Sequence, residues 1–408
     1  MWPTRTPIVD GRDAGRRETV ARSLHGCVDF SFARCGVVRW TVAASLMCIV
    51  MLVGTAMRAA AQDVASMDGP SLYDQACASC HGGDGGGVPA ERRSFDVEVP
   101  DFRDCSFATR EPDADWIAVA HQGGPVRGFD TTMPAFGEAL DEEALQRVMD
   151  YIRTFCSESA WPRGELNLPR AFVLEKAYPE DEAVTTMTAA LEGAGGVMNE
   201  VLYERRFGPR SQWELAIPFG AQETSGPDGS WAFGVGDIAV GIKHAIWHNF
   251  QSGSIVALGG EISVPTGDED RGFGKGTVVF EPYISAGQIL PSDAFVQAQA
   301  LLEISGDEDK AENEAGWRFV AGRTFTPGAW WGRTWTPMVE LLGARALESG
   351  ARVAWDVIPQ MQVSLNTRQH VLLNVGVRLP ATDAEIRSSQ LLLYVLWDWF
   401  DGGFFAGW

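Results

Sequence analysis

Cys77, Cys80 and His81 stand together in the run Cys77-Ala78-Ser79-Cys80-His81, and their types and spacing define one chemistry. Two thiols three positions apart share one face of a helical turn. Both can then form thioether bonds to the vinyl groups of a haem, while the adjacent imidazole takes the iron. A CxxC pair also occurs as half of a zinc site or as a redox dithiol. Zinc asks for a second close Cys/His pair and a redox dithiol for a surrounding βαβ pattern, and the sequence offers neither. The opposite iron ligand is expected on a downstream loop. Met133-Pro134-Ala135-Phe136-Gly137 presents a thioether on a proline-stiffened turn. A loop or core methionine is the plainer reading of Met133. His121 is the rival ligand, but it ends an apparent helix at 115–120 and precedes Gly123-Gly124. His/Met ligation favours a high potential and leaves little room at the iron, which points to electron transfer rather than catalysis.

The elements that must position these groups are short helices. Residues 69–78 fit one, with Ser71 as candidate N-cap, and the glycines of 82–87 release the chain into a loop. A further helix is expected at about 141–155. On these motifs the stretch 69–156 resembles a class I cytochrome c domain, with a helix running into CASCH, a middle helix at Trp116, the MPAFG loop and a last helix containing Tyr151. The resemblance implies one covalently bound haem c on Cys77 and Cys80, with His81 and Met133 as axial ligands and Tyr151 packed at its edge. Cys105 and Cys156 depart from the plainest pattern. In an oxidising compartment they could form a disulfide worth about 4 kcal/mol, two buried thiols being the alternative.

The remaining sequence places that domain. Arg34 and Arg39 precede an apolar run at 40–57, and Ala59-Ala60-Ala61 supplies a small-residue cleavage signal. Residues 1–61 are therefore expected to be an N-terminal extension and signal peptide, with an uncleaved anchor as the competing reading. They hold eight Arg against four acidic residues, so the rest carries 25 basic and 50 acidic groups out of a total net charge of -21. That balance repels nucleic acid and suits basic partners.

Residues 157–194, broken by Pro162, Pro169 and Pro179, read as a linker whose only regular piece is a short helix at 185–191. From 195 to 408 the pattern alternates with period 2. Val256, Leu258, Gly260, Ile262 and Val264 oppose Ala257, Gly259, Glu261 and Ser263, and similar runs lie at 294–305, 352–363 and 371–379. Phe295, Leu301, Ile358 and Leu372 break the alternation by falling on the mostly polar side. Further strands are expected near 196, 212, 237, 277, 316, 334 and 390. Runs of this length suit tilted membrane strands of ~9–11 residues. A soluble sandwich alternates in the same way. The export signal, the hairpin rhythm and the aromatic end at Phe404–Trp408 favour an antiparallel transmembrane β-barrel of about ten to twelve strands. Gly236-Asp237-Ile238, Gly241-Ile242-Lys243 and Pro265-Thr266-Gly267-Asp268 resemble the outer-membrane barrel family of the MetA pathway of phenol degradation, whose members are proposed transporters.

The expected architecture is thus multidomain: a small all-α cytochrome c domain at 62–156, a linker at 157–194 and a barrel at 195–408. The expected function is electron transfer at the outer membrane, between periplasmic carriers such as basic cytochromes and a donor or acceptor at the barrel, with the haem domain in the periplasm. The alternative is a channel for a small aromatic or hydrophobic solute with an accessory haem domain. No hydrolase triad, phosphate-binding glycine loop or nucleic-acid patch is present in the sequence.

Overall fold

The computed structural model describes residues 64–223, 230–326, 333–385 and 387–399. The expected signal segment and the aromatic end at 404–408 lie outside them. Among the described residues no helix is long and apolar enough to cross a membrane. The crossing elements are strands.

Thirteen strands form one antiparallel sheet: β1 (Glu182–Ala190), β2 (Gly196–Phe207), β3 (Ser211–Glu223), β4 (Trp231–Val235), β5 (Ile238–Asn249), β6 (Ser254–Val264), β7 (Val279–Leu290), β8 (Ala294–Ser305), β9 (Glu314–Arg323), β10 (Trp335–Ala346), β11 (Ala354–Ser364), β12 (Val371–Pro380) and β13 (Gln390–Asp398). β4 and β5 both pair with β3, one after the other, and act as a single stave broken at Gly236-Asp237. β1 pairs with β2 on one side and β13 on the other, which closes a barrel of twelve staves. Closure pairs every full-length stave on both sides, the short β4 alone lacking a second neighbour, and paired edges are the condition for strands to stand in lipid.

The period-2 pattern sorts the side chains as the sequence implies. Val240, Ile242, Leu258, Ile262, Val296, Phe319, Val339 and Val395 are exposed on the outer wall, while Gln212, Lys243, Gln299, Glu340 and Asn374 are buried in the lumen. An apolar exterior over a polar interior belongs to a membrane barrel and not to a sandwich, whose apolar face would be covered.

The segment expected to be a linker has a different fate. Its end is β1, a strand rather than a short helix, so the barrel begins at Glu182 and not at 195. Val184, Thr185, Thr186 and Thr188 give β1 its β-branched character. Residues 166–180 run inside the barrel, which at twelve staves is too wide for side chains alone to fill. Leu168, Ala171 and Leu174 pack on Phe295, Val320 and Met338 of the inner wall. Phe172 and Val173 lie against Leu342, Ile358 and Leu392, and Phe172 also borders Val184 and Leu372. Of the inward apolar residues that spoil the alternation, Phe295, Ile358 and Leu372 are thus the seat of this inner segment, while Leu301 packs beside Gly316.

Irregular backbone in a barrel needs its polar groups met by the wall. Glu340 accepts the amides of Phe172 (3.2 Å), Val173 (3.2 Å) and Leu174 (2.7 Å). Tyr394 and Gln297 donate to the carbonyls of Arg170 (2.6 Å) and Pro169 (2.8 Å), and Arg318 donates to that of Val173 (2.8 Å). Charge is matched as well. Arg170 reaches Glu182 at 2.6 Å, Glu204 at 2.7 Å and Glu175 at 3.1 Å, and Lys243 also pairs with Glu175.

Arg170→Met removes one partner from buried Glu182 and Glu204 at once. It is expected to cost about 3–5 kcal/mol, read as a lower urea midpoint for barrel unfolding in micelles.

Candidate functional site

From residue 69 onward the domain before the barrel is built on the α-helices α1 (Gly69–Ala76), α2 (Ala78–His81), α3 (Cys105–Ala108), α4 (Asp113–Gln122) and α5 (Glu142–Ile152). Asp68, not Ser71, caps α1, its carboxylate accepting the Ser71 amide at 3.0 Å. The Asp141 carboxylate likewise accepts the Ala144 amide at 2.8 Å at the head of α5. α1 and α5 pack so closely that a Cβ on Gly69 would lie 2.2 Å from the Arg147 carbonyl oxygen, so only glycine fits there. Leu72, Tyr73, Phe102, Ile117, Leu145, Val148, Met149 and Ile152 form the core around this contact.

The candidate ligands border that core. Cys77, Ala78, Phe107, Trp116, Met133 and Phe136 pack against it as a partly buried apolar rim. Cys77 and Cys80 carry free thiols, so the motif is not an internal disulfide. Burial, then the neighbouring Cys80, pushes the Cys77 thiol up to about 11. His81 stacks on Phe102 with ring centres 4.8 Å apart. Its Nδ1 is buried without a hydrogen-bond partner, and burial lowers its pKa to about 4, which keeps the imidazole neutral and its lone pair available. The Tyr73 hydroxyl donates to the Gly82 carbonyl at 2.7 Å, pinning the chain just after His81.

Met133 sits in a loop tied back to α4. Its carbonyl accepts the Gly124 amide at 3.0 Å, and the next residues return through Phe136 N to Ala120 O (2.9 Å) and Gly137 N to His121 O (3.0 Å). Gly123 makes this possible at φ +86, with the Met133 oxygen 3.1 Å from where a Cβ would stand. The rival His121 closes α4, its Nδ1 2.7 Å from the Gln122 side-chain nitrogen. Tyr151 packs on Tyr73 (5.4 Å) and Phe155 (5.0 Å). Cys105 and Cys156 are disulfide-bonded with Cα atoms 5.2 Å apart, tying the start of α3 to the chain just past α5. A soft thioether, a neutral buried imidazole, two free thiols and an aromatic rim are the donor set and surroundings that a c-type haem requires.

Residues 64–152 match the family model described as cytochrome C oxidase, cbb3-type, subunit III. Residues 200–369 match the model described as putative MetA-pathway of phenol degradation. The chain joins a cytochrome c domain to an outer-membrane β-barrel. Several solved structures are similar to the barrel region. The KdgM porin in complex with disordered oligogalacturonate is 11% identical, with 53% of this chain and 99% of that chain covered and a TM-score of 0.37. The COG4313 outer membrane channel from Pseudomonas putida F1 is 12% identical over 57% and 100%, with a TM-score of 0.43. No curated protein matches the chain.

The cytochrome c domain is docked at the barrel end where the inner segment enters. Arg110 pairs with Asp181 beside β1. The Asp113 carboxylate receives Arg153 at 2.8 Å and Arg163 at 2.9 Å. Burial alone would raise the Asp113 carboxyl, but those two guanidiniums outweigh it and hold the group below its ordinary value. Glu111 meets His370 at 3.0 Å, and His370 in turn lies 3.3 Å from Asp398 of β13. Arg368 stacks over Phe129 at 4.6 Å. Sequence reasoning missed all of these docking residues, because they carry no local motif and their partners lie far away along the chain.

Replacing Cys105 and Cys156 by serine is expected to cost about 4 kcal/mol on the loop-entropy argument. Urea unfolding of the cytochrome c domain, compared with and without reductant in the parent chain, checks this.

Proposed function

We propose that this chain is an electron-transfer protein of the outer membrane, in which one c-type haem exchanges electrons between periplasmic carriers and a donor or acceptor at the barrel. Cys77 and Cys80 would hold the haem by thioether bonds, and His81 and Met133 would hold its iron. When bound, the haem supplies a one-electron couple. The chain's own residues do the rest. Phe102, Phe107, Trp116 and Phe136 keep water from the cleft, and burial keeps His81 neutral.

One observation carries this reading against the alternative. The lumen is occupied by residues 166–180, held by ion pairs and by wall side chains that meet the backbone, so the barrel serves first as an anchor for the docked domain. The channel alternative rests on the likeness of residues 200–369 and requires the segment to leave.

A periplasmic position for the haem domain is supported by the connections. On its side of the barrel the connections at 208–210, 250–253, 291–293 and 365–370 are short, 324–334 being the exception, whereas at the other end those at 265–278, 306–313 and 381–389 are longer and only 191–195 is as short. Outer-membrane barrels place the short turns in the periplasm. Residues 64–156 contain 17 acidic residues against 7 arginines, of which Arg103, Arg110, Arg127, Arg147 and Arg153 are engaged with carboxylates. The remaining acidic surface suits a basic carrier and a salt-sensitive encounter.

Two measurements test the reading. Membranes expressing the protein with haem-maturation machinery are expected to show a c-type spectrum that titrates as one couple. His81→Ala removes that couple, and Met133→Ala keeps the attached haem but opens the iron to an added ligand. In planar bilayers the intact barrel is expected to conduct little. Sustained solute flux through the parent protein, unchanged in His81→Ala, would sink the electron-transfer reading and favour the channel.

A further inference from the structure

Beyond the inner segment, toward the end of the barrel opposite the helical domain, the luminal wall turns acidic. Glu200 of β2 is exposed to the lumen, and Glu261, Glu281, Glu303 and Glu314 of β6 to β9 are half-buried there. Glu261 stands directly across from Glu281, and Glu303 across from Glu314. Like charges placed opposite each other weaken a sheet. The cations found against these five carboxylates are Arg318, 3.7 Å from Glu281, and Lys275, 2.5 Å from Glu303.

Next to the inner segment, Glu175, Glu204 and Glu214 bring one carboxylate oxygen each to within 4.8 Å of one another. Arg170 and Lys243 already serve Glu175 and Glu204. Glu214 is buried and makes no ion pair among the described residues, its one contact of note being the Gln212 amide at 3.2 Å. A second observation points to the same place. Tyr283 is 6% exposed and its hydroxyl has no hydrogen-bond partner, although a buried hydroxyl normally finds one.

Two glycines let these groups meet. A Cβ on Gly241 would lie 2.1 Å from Oε1 of Glu214, and one on Gly259 would lie 2.3 Å from the Tyr283 hydroxyl. Gly241 pairs with Glu261 and Lys243 with Gly259 across β5 and β6, so Glu214, Glu261 and Tyr283 lie over one small patch of wall. The patch holds two carboxylates that make no direct ion pair among the described residues, Lys243 beside them being taken by Glu175, and a hydroxyl without a partner, all oxygen donors. Oxygen-only sets select hard divalent cations over soft ones.

We propose that Glu214, Glu261 and the Tyr283 hydroxyl form a luminal site for a hard divalent cation, fed by the acidic vestibule of Glu200, Glu281, Glu303 and Glu314. The inference does not rest on the haem or on electron transfer.

The test uses the full chain in detergent micelles, freed of metal with chelator and titrated with Mn²⁺ by calorimetry. Tight Mn²⁺ binding is expected, weakened at least tenfold by Glu214→Gln or Glu261→Gln and severalfold by Tyr283→Phe. Asp268→Asn with Asp270→Asn, in an exposed loop, is expected to leave it unchanged. Heat-modifiable migration on gels reports whether each barrel is folded. Absence of binding in the parent chain overturns the proposal, as does binding that follows the loop pair instead of the luminal residues. Tyr283→Phe removes only an unpartnered hydroxyl and so preserves the barrel; undiminished affinity in that variant also overturns it.

Discussion

A strand of irregular chain inside a closed barrel is tolerated only if the wall answers each of its polar groups, and this constraint organises the whole molecule. Residues 166–180 have no ladder of their own, so their amides and carbonyls must be met by side chains projecting from the staves. Glu340 answers three successive amides, and Tyr394, Gln297 and Arg318 answer carbonyls. Arg170 could not be buried there without Glu182, Glu204 and Glu175 around it. The inward face of the barrel is therefore as specific as a protein core, while the outward face needs only to be apolar.

That difference explains how much was legible. The outward face follows a rule of period 2 that any apolar residue satisfies, so strands near 196, 212, 237, 316, 334 and 390 stand out from the sequence and appear within three residues of those places. Phe295, Ile358 and Leu372 looked like defects in that rule. They mark the wall on which Leu168, Leu174 and Phe172 rest, a long-range fact that no local period encodes. β1 was hidden for a related reason: prolines and acidic residues precede it, and Ala189-Ala190-Leu191 reads as helix former, whereas closure demands a strand between β2 and β13.

The haem motif lies at the other extreme of legibility. Its signal is local, because the two cysteines and the histidine fall within five residues, and helix lengths shift by only a few positions from expectation. The Met133 loop is partly readable, since proline and glycine restrict it, but its tether to α4 through Gly124 and Phe136 is visible only in three dimensions. Docking onto the barrel was not readable at all. Glu111 and His370 are 259 positions apart, and neither belongs to a pattern.

Two attachments to the barrel limit what the cytochrome c domain can do. The ion pairs of Arg110, Asp113 and Glu111 fix its face against the mouth, and the chain that leaves it is threaded into the lumen within a few residues of Arg163. Either attachment alone would permit a swing about the other. Together they leave the connecting segment no slack, because drawing residues 166–180 outward would strip partners from Glu340 and from Glu182 and Glu204 at once. A domain held in this way cannot travel to its partners as a tethered carrier on a flexible linker would. On the proposed electron-transfer reading, partners would have to come to it, and the acidic surface left free of the docking face is the one they would meet.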